Sequence, residues 1–312
     1  MLILFLLLPI AVLLGVGFYL FIVACKRRPD RPWLDEEAMR KTHYNQYYDN
    51  IRFGHQWLQE NARDVWTQSH DGLKLHAYWI PAEKPIGTIV LMHGYRSSML
   101  VDFSLIFPYY HSIGLNLLIP HQRSHGPSEG KYITFGVKES RDVHSWLQYH
   151  DRVLYQGKVV ISGLSMGAST VLFTASDRLP ENVKGIIGDC GFTSPWEIIS
   201  RVYKQTTKLS AGPVLWAAEL WARLFAGFSL KEKDTRITLA NTKLPILLIH
   251  GKADDFVPCY MSQQAYDKCV SKKHMHLVDG AGHGTSFLYD STGVKEALRS
   301  FIADVLEVEI AK

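Results

Sequence analysis

Short apolar runs alternate with amphipathic stretches over most of the chain, and this alternation predicts the fold. The apolar runs cover residues 88–92, 116–119, 158–162, 183–187, 246–249 and 274–278. Helical patterns lie near residues 101–113, 137–151, 167–178, 261–271 and 293–308. Continuous apolar strands separated by helices are typical of a mostly parallel sheet with helices on both faces. The pattern therefore predicts an α/β fold.

A hairpin precedes this alternation. The stretches 65–68 and 74–79 flank His70-Asp71-Gly72, which is a turn signal between two strands. Before the hairpin, residues 35–61 have a helical pattern that we expect to be interrupted near Gly54. We therefore assign residues 26–64 to a linker and helix that precede the main domain, and residues 65–312 to the main domain.

The segment from about residue 191 to residue 243 breaks the alternation, because it has no clear strand pattern. It carries aromatic residues among helical stretches: Trp196, Tyr203, Trp216, Trp221, Phe225 and Phe228. We expect a helical cap inserted over the ends of the strands. These aromatics are expected to pack the cap onto the main domain, and direct contact of one or two of them with a substrate is the alternative.

An apolar segment, residues 2–24, contains no charged residue. As a helix it would be about 34 Å long, enough to cross the roughly 30 Å hydrocarbon core of a bilayer. The rival interpretation is a cleaved signal peptide, whose apolar region is shorter and follows basic residues. We therefore predict that residues 1–25 form a transmembrane anchor. Residues 26–64 are then its juxtamembrane linker and helix.

Basic residues flank this segment on one side only, at Lys26, Arg27 and Arg28. Because basic flanks stay in the cytoplasm, we expect a single-pass protein of the cell membrane with its main domain in the cytoplasm. One feature favours the opposite orientation. Residues 22–25 resemble a bacterial lipobox, in which Cys25 would be lipidated and the domain exported.

Composition and charge mainly exclude classes of function. The formal net charge is +4, from 34 Lys and Arg against 30 Asp and Glu, which is too small and too dispersed to indicate nucleic-acid binding. Four cysteines form no C-x-x-C pair and fit a reducing compartment: Cys25, Cys190, Cys259 and Cys269. The sequence has no metal or cofactor motif, so we expect neither group.

The residues Gly163-Leu164-Ser165-Met166-Gly167 form a G-x-S-x-G motif between an apolar strand and a helical stretch. This is the context of a nucleophile elbow, in which a sharp turn exposes the serine oxygen. A plain glycine-rich turn is the alternative, and the flanking strand and helix argue against it. We predict that Ser165 is a catalytic nucleophile.

A serine hydroxyl needs a general base, and the base needs an acid that orients it. His283 lies between glycines in a loop after the last predicted strand, and we predict that it is the base. Asp254 and Asp255 follow the preceding strand and are the two candidates for the acid. The chain order of serine, acid and histidine is that of α/β-hydrolases and differs from the other serine triads.

The sequence resembles the α/β-hydrolase superfamily over residues 65–308, and within it the capped serine esterases, lipases and serine aminopeptidase-like members. The resemblance rests on His93-Gly94-Tyr95, residues 123–128, the nucleophile elbow, and the acid and histidine loops. It implies the α/β-hydrolase fold. It also implies that the acid is Asp254, since the family acid is the fourth residue after the histidine of an H-G-x-x-D loop.

The same resemblance implies an oxyanion hole made by the backbone N–H groups of Tyr95 and Met166. It assigns His93 a structural position at the end of a strand. The sequence departs from the family at His121, where an aspartate usually stands. We expect the packing of that loop to differ from the family pattern.

The predicted function is hydrolysis of a carboxylic ester through an acyl-enzyme intermediate at Ser165. Serine peptidases, aminopeptidases and thioesterases use the same residues, and fold and triad do not separate these activities. A non-catalytic membrane-bound scaffold is a further alternative, which the complete set of serine, aspartate and histidine disfavours. The expected partners are a small ester or amide substrate and the membrane, and the sequence does not indicate an oligomeric state.

Overall fold

A computed structural model describes residues 2–41 and 45–310 of the chain. Its centre is one eight-stranded sheet in the spatial order β1-β2-β4-β3-β5-β6-β7-β8. The strands are β1 Arg63–Gln68, β2 Lys74–Ile80, β3 Gly87–Met92, β4 Leu115–Pro120, β5 Val159–Leu164, β6 Val183–Asp189, β7 Ile246–Gly251 and β8 Lys273–Val278. Only the pairs β1–β2 and β2–β4 are antiparallel, and all other neighbours are parallel. The mostly parallel sheet predicted from the apolar runs is therefore confirmed.

Thirteen α-helices accompany the sheet in the part of the chain that the structure describes. They are α1 Leu2–Cys25, α2 Glu36–Arg40, α3 Tyr48–Asn61, α4 Met99–Phe103, α5 Phe107–Ser112, α6 Val137–Tyr149, α7 Met166–Phe173, α8 Pro195–Thr207, α9 Gly212–Trp221, α10 Thr235–Leu239, α11 Cys259–Lys268, α12 Ser286–Tyr289 and α13 Ser291–Leu306. A 3₁₀ turn occupies Asn45–Tyr47, and π-helical turns follow α6 and α9 at His150–Leu154 and Ala222–Ala226.

The hydrophobic core lies on both faces of the sheet. On one face, Phe103, Phe107 and Phe301 pack against the strands from α4, α5 and α13. On the other face, Trp146 and Val171 pack from α6 and α7. Every residue of β3, β4 and β7 is buried, which explains why these strands have continuous rather than alternating apolar patterns.

Two expectations about helix continuity were wrong. The helix α3 runs through Gly54 without a break, because the absent side chain lets α3 lie against Ser104: a Cβ at Gly54 would sit 2.3 Å from the Ser104 Cβ. The helical pattern at 101–113 is split into α4 and α5. Pro108 lies in the first turn of the second helix, and proline cannot donate the backbone hydrogen bond that would continue the first helix.

The segment between β6 and β7 holds α8, α9 and α10, and none of its described residues lies in a strand. Its aromatic residues do not share one role. Phe228 is buried, whereas Trp216 is largely exposed. Trp221 and Phe225 instead contact α1, where both rings lie against Phe18. Packing onto the main domain therefore accounts for only some of them.

The N-terminal helix α1 is long and apolar enough to cross a membrane, a property that it shares with signal sequences. Its C-terminal half packs against the protein. Phe21 and Cys25 are each 2% exposed, and they join a buried cluster that includes Ile133 and Leu215. The sequence pattern gave no sign of this docking, because an apolar helix looks the same whether lipid or protein covers it.

Candidate active site

Ser165 lies in the sharp turn between β5 and α7, with φ +56° and ψ −116°. Positive φ is strained for a residue with a Cβ, and such strain is concentrated at functional sites. The two motif glycines make the turn feasible. A Cβ at Gly163 would lie 2.2 Å from the carbonyl of Gly167, and a Cβ at Gly167 would lie 1.8 Å from the carbonyl oxygen of Met92. Only glycine fits at either position.

The three residues predicted to form a triad meet at the carboxyl ends of the parallel strands. The Ser165 hydroxyl lies 2.9 Å from Nε2 of His283. On the other side of the imidazole, Nδ1 of His283 lies 2.7 Å from Oδ2 of Asp254. Ser165 follows β5, Asp254 follows β7 and His283 follows β8, so three separate strands position one hydrogen-bonded chain.

Asp254 rather than Asp255 faces the histidine. Its other oxygen, Oδ1, accepts hydrogen bonds from the backbone N–H groups of Phe256 and Val257, at 3.0 and 2.8 Å. The side chain of Asp254 is buried, whereas Asp255 is exposed. Burial alone would raise the pKa of Asp254, but hydrogen bonds from His250 and His283 outweigh it and lower the pKa to about 2. The carboxylate is therefore ionised at neutral pH.

A second histidine, His250, supports the carboxylate, and sequence reasoning gave it no role. Its Nε2 lies 3.2 Å from Oδ2 of Asp254 and 2.8 Å from the carbonyl oxygen of Val257, while Nδ1 lies 2.7 Å from the Ser262 hydroxyl. These contacts hold the ring fixed in the core. The available signal was the H-G-x-x-D spacing itself, which places a histidine at the end of β7, four residues before the acid.

The loop after β3 brings Tyr95 to the nucleophile. A Cβ at Gly94 would lie 3.4 Å from the Ser165 Cβ, so the loop and the elbow are in direct contact. Met166 is the first residue of α7, and the first N–H groups of a helix have no partner within the helix. The positive end of the α7 dipole also points at this position. The Tyr95 side chain turns away and stacks on Phe135 with 5.1 Å between ring centroids.

Asp102 is the second residue near the nucleophile that sequence reasoning missed. Its Oδ2 accepts a 2.6 Å hydrogen bond from the Gly94 N–H, and its Oδ1 accepts a 2.7 Å bond from the Ser97 hydroxyl. Burial raises the pKa of Asp102 to about 6. Asp102 belongs to α4 and has no motif of its own, so its position was visible only in the folded chain.

The histidines outside the triad lie in the scaffold of the loops. His93 is buried, and its Nε2 accepts a hydrogen bond from the backbone N–H of Gln122 at 3.1 Å. Burial lowers the pKa of His93 to about 3, so the ring is neutral. His121, at the position where the sequence departs from the family pattern, shares a 2.8 Å hydrogen bond with His76 between their Nδ1 atoms. In turn, Nε2 of His76 lies 2.7 Å from Asp64, an acid from a different strand.

Two groups of three possible metal ligands lie close together in the described part of the chain. One consists of Cys190, Asp254 and His283, and the other of His70, Asp71 and Asp142. In the first group, Asp254 and His283 are hydrogen-bonded to each other, and burial raises the pKa of the Cys190 thiol well above its usual value. In the second, both carboxylates are bound to the guanidinium of Arg123. Hydrogen bonds and ion pairs therefore already engage Asp254 and His283 in the first group and both carboxylates in the second.

The model of a family described as "Alpha/beta hydrolase family" matches residues 89–297, a range that contains Ser165, Asp254 and His283. YqkD of Bacillus subtilis, an uncharacterized protein, is 24% identical over 232 residues, covering 74% of this chain and 76% of that protein. The protein bem46 of Schizosaccharomyces pombe is 24% identical over 227 residues, covering 72% and 69%. An uncharacterized membrane protein of Saccharomyces cerevisiae is 23% identical over 240 residues, covering 76% and 78%.

Solved structures share the fold. The esterase Pf2001 of Pyrococcus furiosus superposes with a TM-score of 0.65 at 21% identity, covering 83% of this chain and 95% of the esterase. An acylaminoacyl peptidase of Pyrococcus horikoshii superposes with a TM-score of 0.59 at 18% identity, covering 80% of this chain and 42% of the peptidase. At these identities the likeness shows the α/β-hydrolase fold and leaves the substrate open.

Proposed function

The chain belongs to the alpha/beta hydrolase family, and from this premise we propose that it is a serine hydrolase that cleaves carboxylic esters through an acyl-enzyme. The observation that carries the proposal is the continuous hydrogen-bonded chain from Ser165 through His283 to Asp254, at 2.9 and 2.7 Å. The strained turn at Ser165 supports it, because that backbone conformation holds the hydroxyl at the end of the sheet.

In the proposed mechanism, the Ser165 oxygen attacks the ester carbonyl while Nε2 of His283 accepts the hydroxyl proton. The carbonyl oxygen takes the negative charge in the tetrahedral intermediate. The bond to the alcohol then breaks, and His283 returns its proton to the leaving oxygen. Water, deprotonated by His283, attacks the acyl-enzyme and releases the acid and free Ser165.

Asp254 is proposed to orient His283 and to stabilise its protonated form. Its Oδ2 faces Nδ1 of the imidazole, so the neutral ring carries its proton on Nδ1 and leaves Nε2 free to accept one. The N–H groups of Phe256 and Val257 stabilise the same carboxylate from the side away from the histidine. This arrangement favours Asp254 over Asp255 for the role.

We assign the oxyanion hole to the backbone N–H groups of Tyr95 and Met166. Both residues border Ser165, one through the Gly94 loop and the other by direct succession in the chain. Fixed amides aimed at the developing charge are worth about 10²–10³ in rate for a single donor. The hydroxyl of Tyr95 is not needed for this role, since it donates to the carbonyl oxygen of Ala24.

A fluorophosphonate probe tests the nucleophile directly. The wild-type chain should become labelled, and Ser165→Ala should not. Ser300→Ala removes an exposed hydroxyl from α13 and is the matched control, which should label like wild type. Labelling that persists in Ser165→Ala, or a folded wild-type protein that does not react, would contradict the assignment; the second result would support a non-catalytic scaffold.

Peptidase and thioesterase activities use the same machinery, so the leaving group must be tested separately. Esters, thioesters and aminoacyl anilides with the same acyl group should be compared on one preparation. The proposal expects the highest kcat/KM for the oxygen esters. A higher value for the anilides would make the protein a peptidase with the same three residues.

We also propose that residues 1–25 anchor the protein as a single membrane span, with residues 26–64 as the juxtamembrane segment and 65–312 as the hydrolase domain in the cytoplasm. Residues 191–243 would be its cap. The apolar helix α1 and the basic residues Lys26, Arg27 and Arg28 after it support this arrangement.

A further inference from the structure

The anchor helix α1 and the cap helix α9 lie side by side in opposite directions. Gly17 faces Ala217, and a Cβ at Gly17 would sit 2.3 Å from the Ala217 Cβ. One turn further along, the indole N–H of Trp221 donates a 2.9 Å hydrogen bond to the carbonyl oxygen of Leu14. Close approach at a small residue is typical of helices that pack within membranes.

The end of α1 is also tied to the main domain. The Tyr95 hydroxyl donates to the carbonyl oxygen of Ala24 at 2.7 Å, and the Arg96 guanidinium donates to that of Val23 at 2.7 Å. Beyond the helix, Arg27 donates to the carbonyl oxygens of Gly126 and Ser128, at 2.6 and 2.8 Å. These bonds fix the direction of α1 relative to the domain, so the two cannot tilt independently.

The surfaces of this helix pair that face away from the protein are apolar except at Arg223, whose side chain is 62% exposed and is paired with Glu219. On α1 the exposed large side chains are Leu7, Leu8, Ile10, Val12, Val16, Phe18 and Tyr19. On α9 and the turn after it they are Trp216, Leu220, Leu224 and Phe225. Trp216, Leu220 and Leu224 are spaced four residues apart, so they lie on one face of the helix.

The acidic residue of α9 is turned inward and neutralised. Glu219 is 3% exposed, and its carboxylate accepts hydrogen bonds from the Arg223 guanidinium, the Ser229 hydroxyl and the Leu230 N–H. A helix that met water would gain nothing from burying its acid and exposing tryptophan and leucine. The arrangement is the one expected of a surface that faces lipid.

The depth of Leu14 and Trp221 in the bilayer follows from the geometry of α1. Leu14 is 11 residues before Cys25, which is about 16 Å along a helix. If the basic residues after Cys25 mark the membrane surface, Leu14 lies near the middle of a hydrocarbon core of about 30 Å. Trp221 is hydrogen-bonded to Leu14 and lies at the same depth.

We propose that α9 and the π-helical turn Ala222–Ala226 are embedded in the acyl-chain region of the bilayer beside α1, so that the cap itself is part of the membrane contact. The proposal rests on the proposed anchoring role of α1. Because Tyr95 binds α1 at Ala24 and lies next to the nucleophile loop, the active site is then at the membrane surface. Esters dissolved in the bilayer are the substrates that this position serves.

Site-specific fluorescence quenching tests the proposal on the full chain in phosphatidylcholine vesicles. Single cysteines at Leu220→Cys, Leu224→Cys and Val12→Cys carry an environment-sensitive dye in a Cys259→Ser background, since the other three native cysteines are buried. The matched controls are Val153→Cys and Ile237→Cys, two exposed apolar positions away from the helix pair. Fluorophosphonate labelling identifies the folded variants, and Trp216→Cys replaces the variant at position 220 or 224 if it fails to fold.

Lipids with a nitroxide on the acyl chain should quench the dye at 12, 220 and 224 several times more strongly than at 153 and 237, and iodide should show the reverse order. Iodide quenching at 220 and 224 as strong as at 153, with position 12 still quenched by lipid, overturns the proposal and keeps the anchor. Iodide quenching at 12 as well shows that α1 does not enter the bilayer and overturns both.

Discussion

The backbone N–H of Gly94 donates a 2.6 Å hydrogen bond to Oδ2 of Asp102, which ties the loop that carries Tyr95 to α4. The Ser97 hydroxyl binds the second oxygen of the same carboxyl group, so both oxygens hold the loop. A donor pair acts on an oxyanion only when its geometry is set before the reaction. Asp102 is therefore a positioning residue for the proposed oxyanion hole.

Replacing Asp102 with alanine should lower kcat by about 10- to 100-fold on a simple ester, less than the full loss of an oxyanion donor. KM should change little, because the ground-state ester does not need the aligned amide. Asp102→Asn keeps one acceptor for the Gly94 N–H and should recover part of kcat. Asp49→Ala, at an exposed position on α3, is the control. Steady-state kinetics with unchanged kcat in Asp102→Ala would remove this role.

Asp254→Asn should reduce kcat on the order of 10⁴, as loss of the acid does in another serine triad. The asparagine amide would favour the wrong tautomer of His283. Asp255→Asn should be nearly neutral, since that side chain is exposed and its carbonyl oxygen, rather than its carboxylate, binds Arg201 and Gln205. The kcat values of the two variants on one ester test this assignment. A larger loss of kcat in Asp255→Asn than in Asp254→Asn would move the acid to Asp255.

The pH dependence of stability should also identify Asp254. Its pKa of about 2 in the folded state lies below the ordinary value of 3.8. A lowered pKa contributes stability that is complete above the ordinary value and is lost as the pH falls through the folded value. Wild type should therefore lose about 2 kcal/mol more than Asp254→Asn between pH 4 and pH 2. Denaturant unfolding in detergent measures this, and parallel curves for the two proteins would contradict it.

Much of the fold could be predicted because its strands are buried on both faces. The runs at 88–92 and 246–249 are continuous and apolar, and each lies within an observed strand. The positions of Ser165 and His283 followed from glycine motifs, whose local geometry is set by neighbours in sequence. Contacts such as Asp102 with Gly94 join residues eight apart across a loop and a helix, and no periodicity encodes them.

The docking of α1 lay outside what a hydropathy pattern can show. The pattern measures transfer out of water and is the same for lipid and for protein surroundings, so Phe21 and Val12 look alike in sequence. In the structure the first is buried against the protein and the second is exposed. The break expected at Gly54 failed for a related reason. Glycine has a low helix propensity, which favours a break at Gly54. The close packing of α3 on Ser104, however, requires a residue without a side chain at that position.

Gly167→Ala should destabilise the domain far more than an ordinary surface substitution. The added Cβ would lie 1.8 Å from the Met92 carbonyl oxygen, so β3 and α7 would have to move apart, at a cost of roughly 3 kcal/mol. Gly212→Ala is the matched control, since a Cβ there meets nothing within 4 Å and alanine favours helix. Thermal unfolding compares them, and equal melting temperatures would show that the elbow is not packed this tightly.

The hydrolase domain should lie on the cytoplasmic side of the membrane. Lys26, Arg27 and Arg28 follow α1 directly, and basic flanks remain in the cytoplasm. The lipobox-like residues 22–25 predict an exported domain with a lipid on Cys25. The structure weighs against that modification, because Cys25 is 2% exposed and its carbonyl oxygen accepts a 2.7 Å hydrogen bond from Ile133. Two acyl chains on that sulfur would require α1 to leave its docking site.

External protease on intact cells distinguishes the two orientations, with a C-terminal tag to follow the domain. The tag signal should survive in intact cells and disappear only after lysis, and the protein should retain α1 at its N-terminus. A cytoplasmic protein of the same cells is the control for leakage. Digestion in intact cells together with a mature N-terminus at Cys25 would identify an exported lipoprotein. In that case the docking of α1 on α9 would be lost with the cleaved segment, because Gly17 and Leu14 both precede the cleavage point.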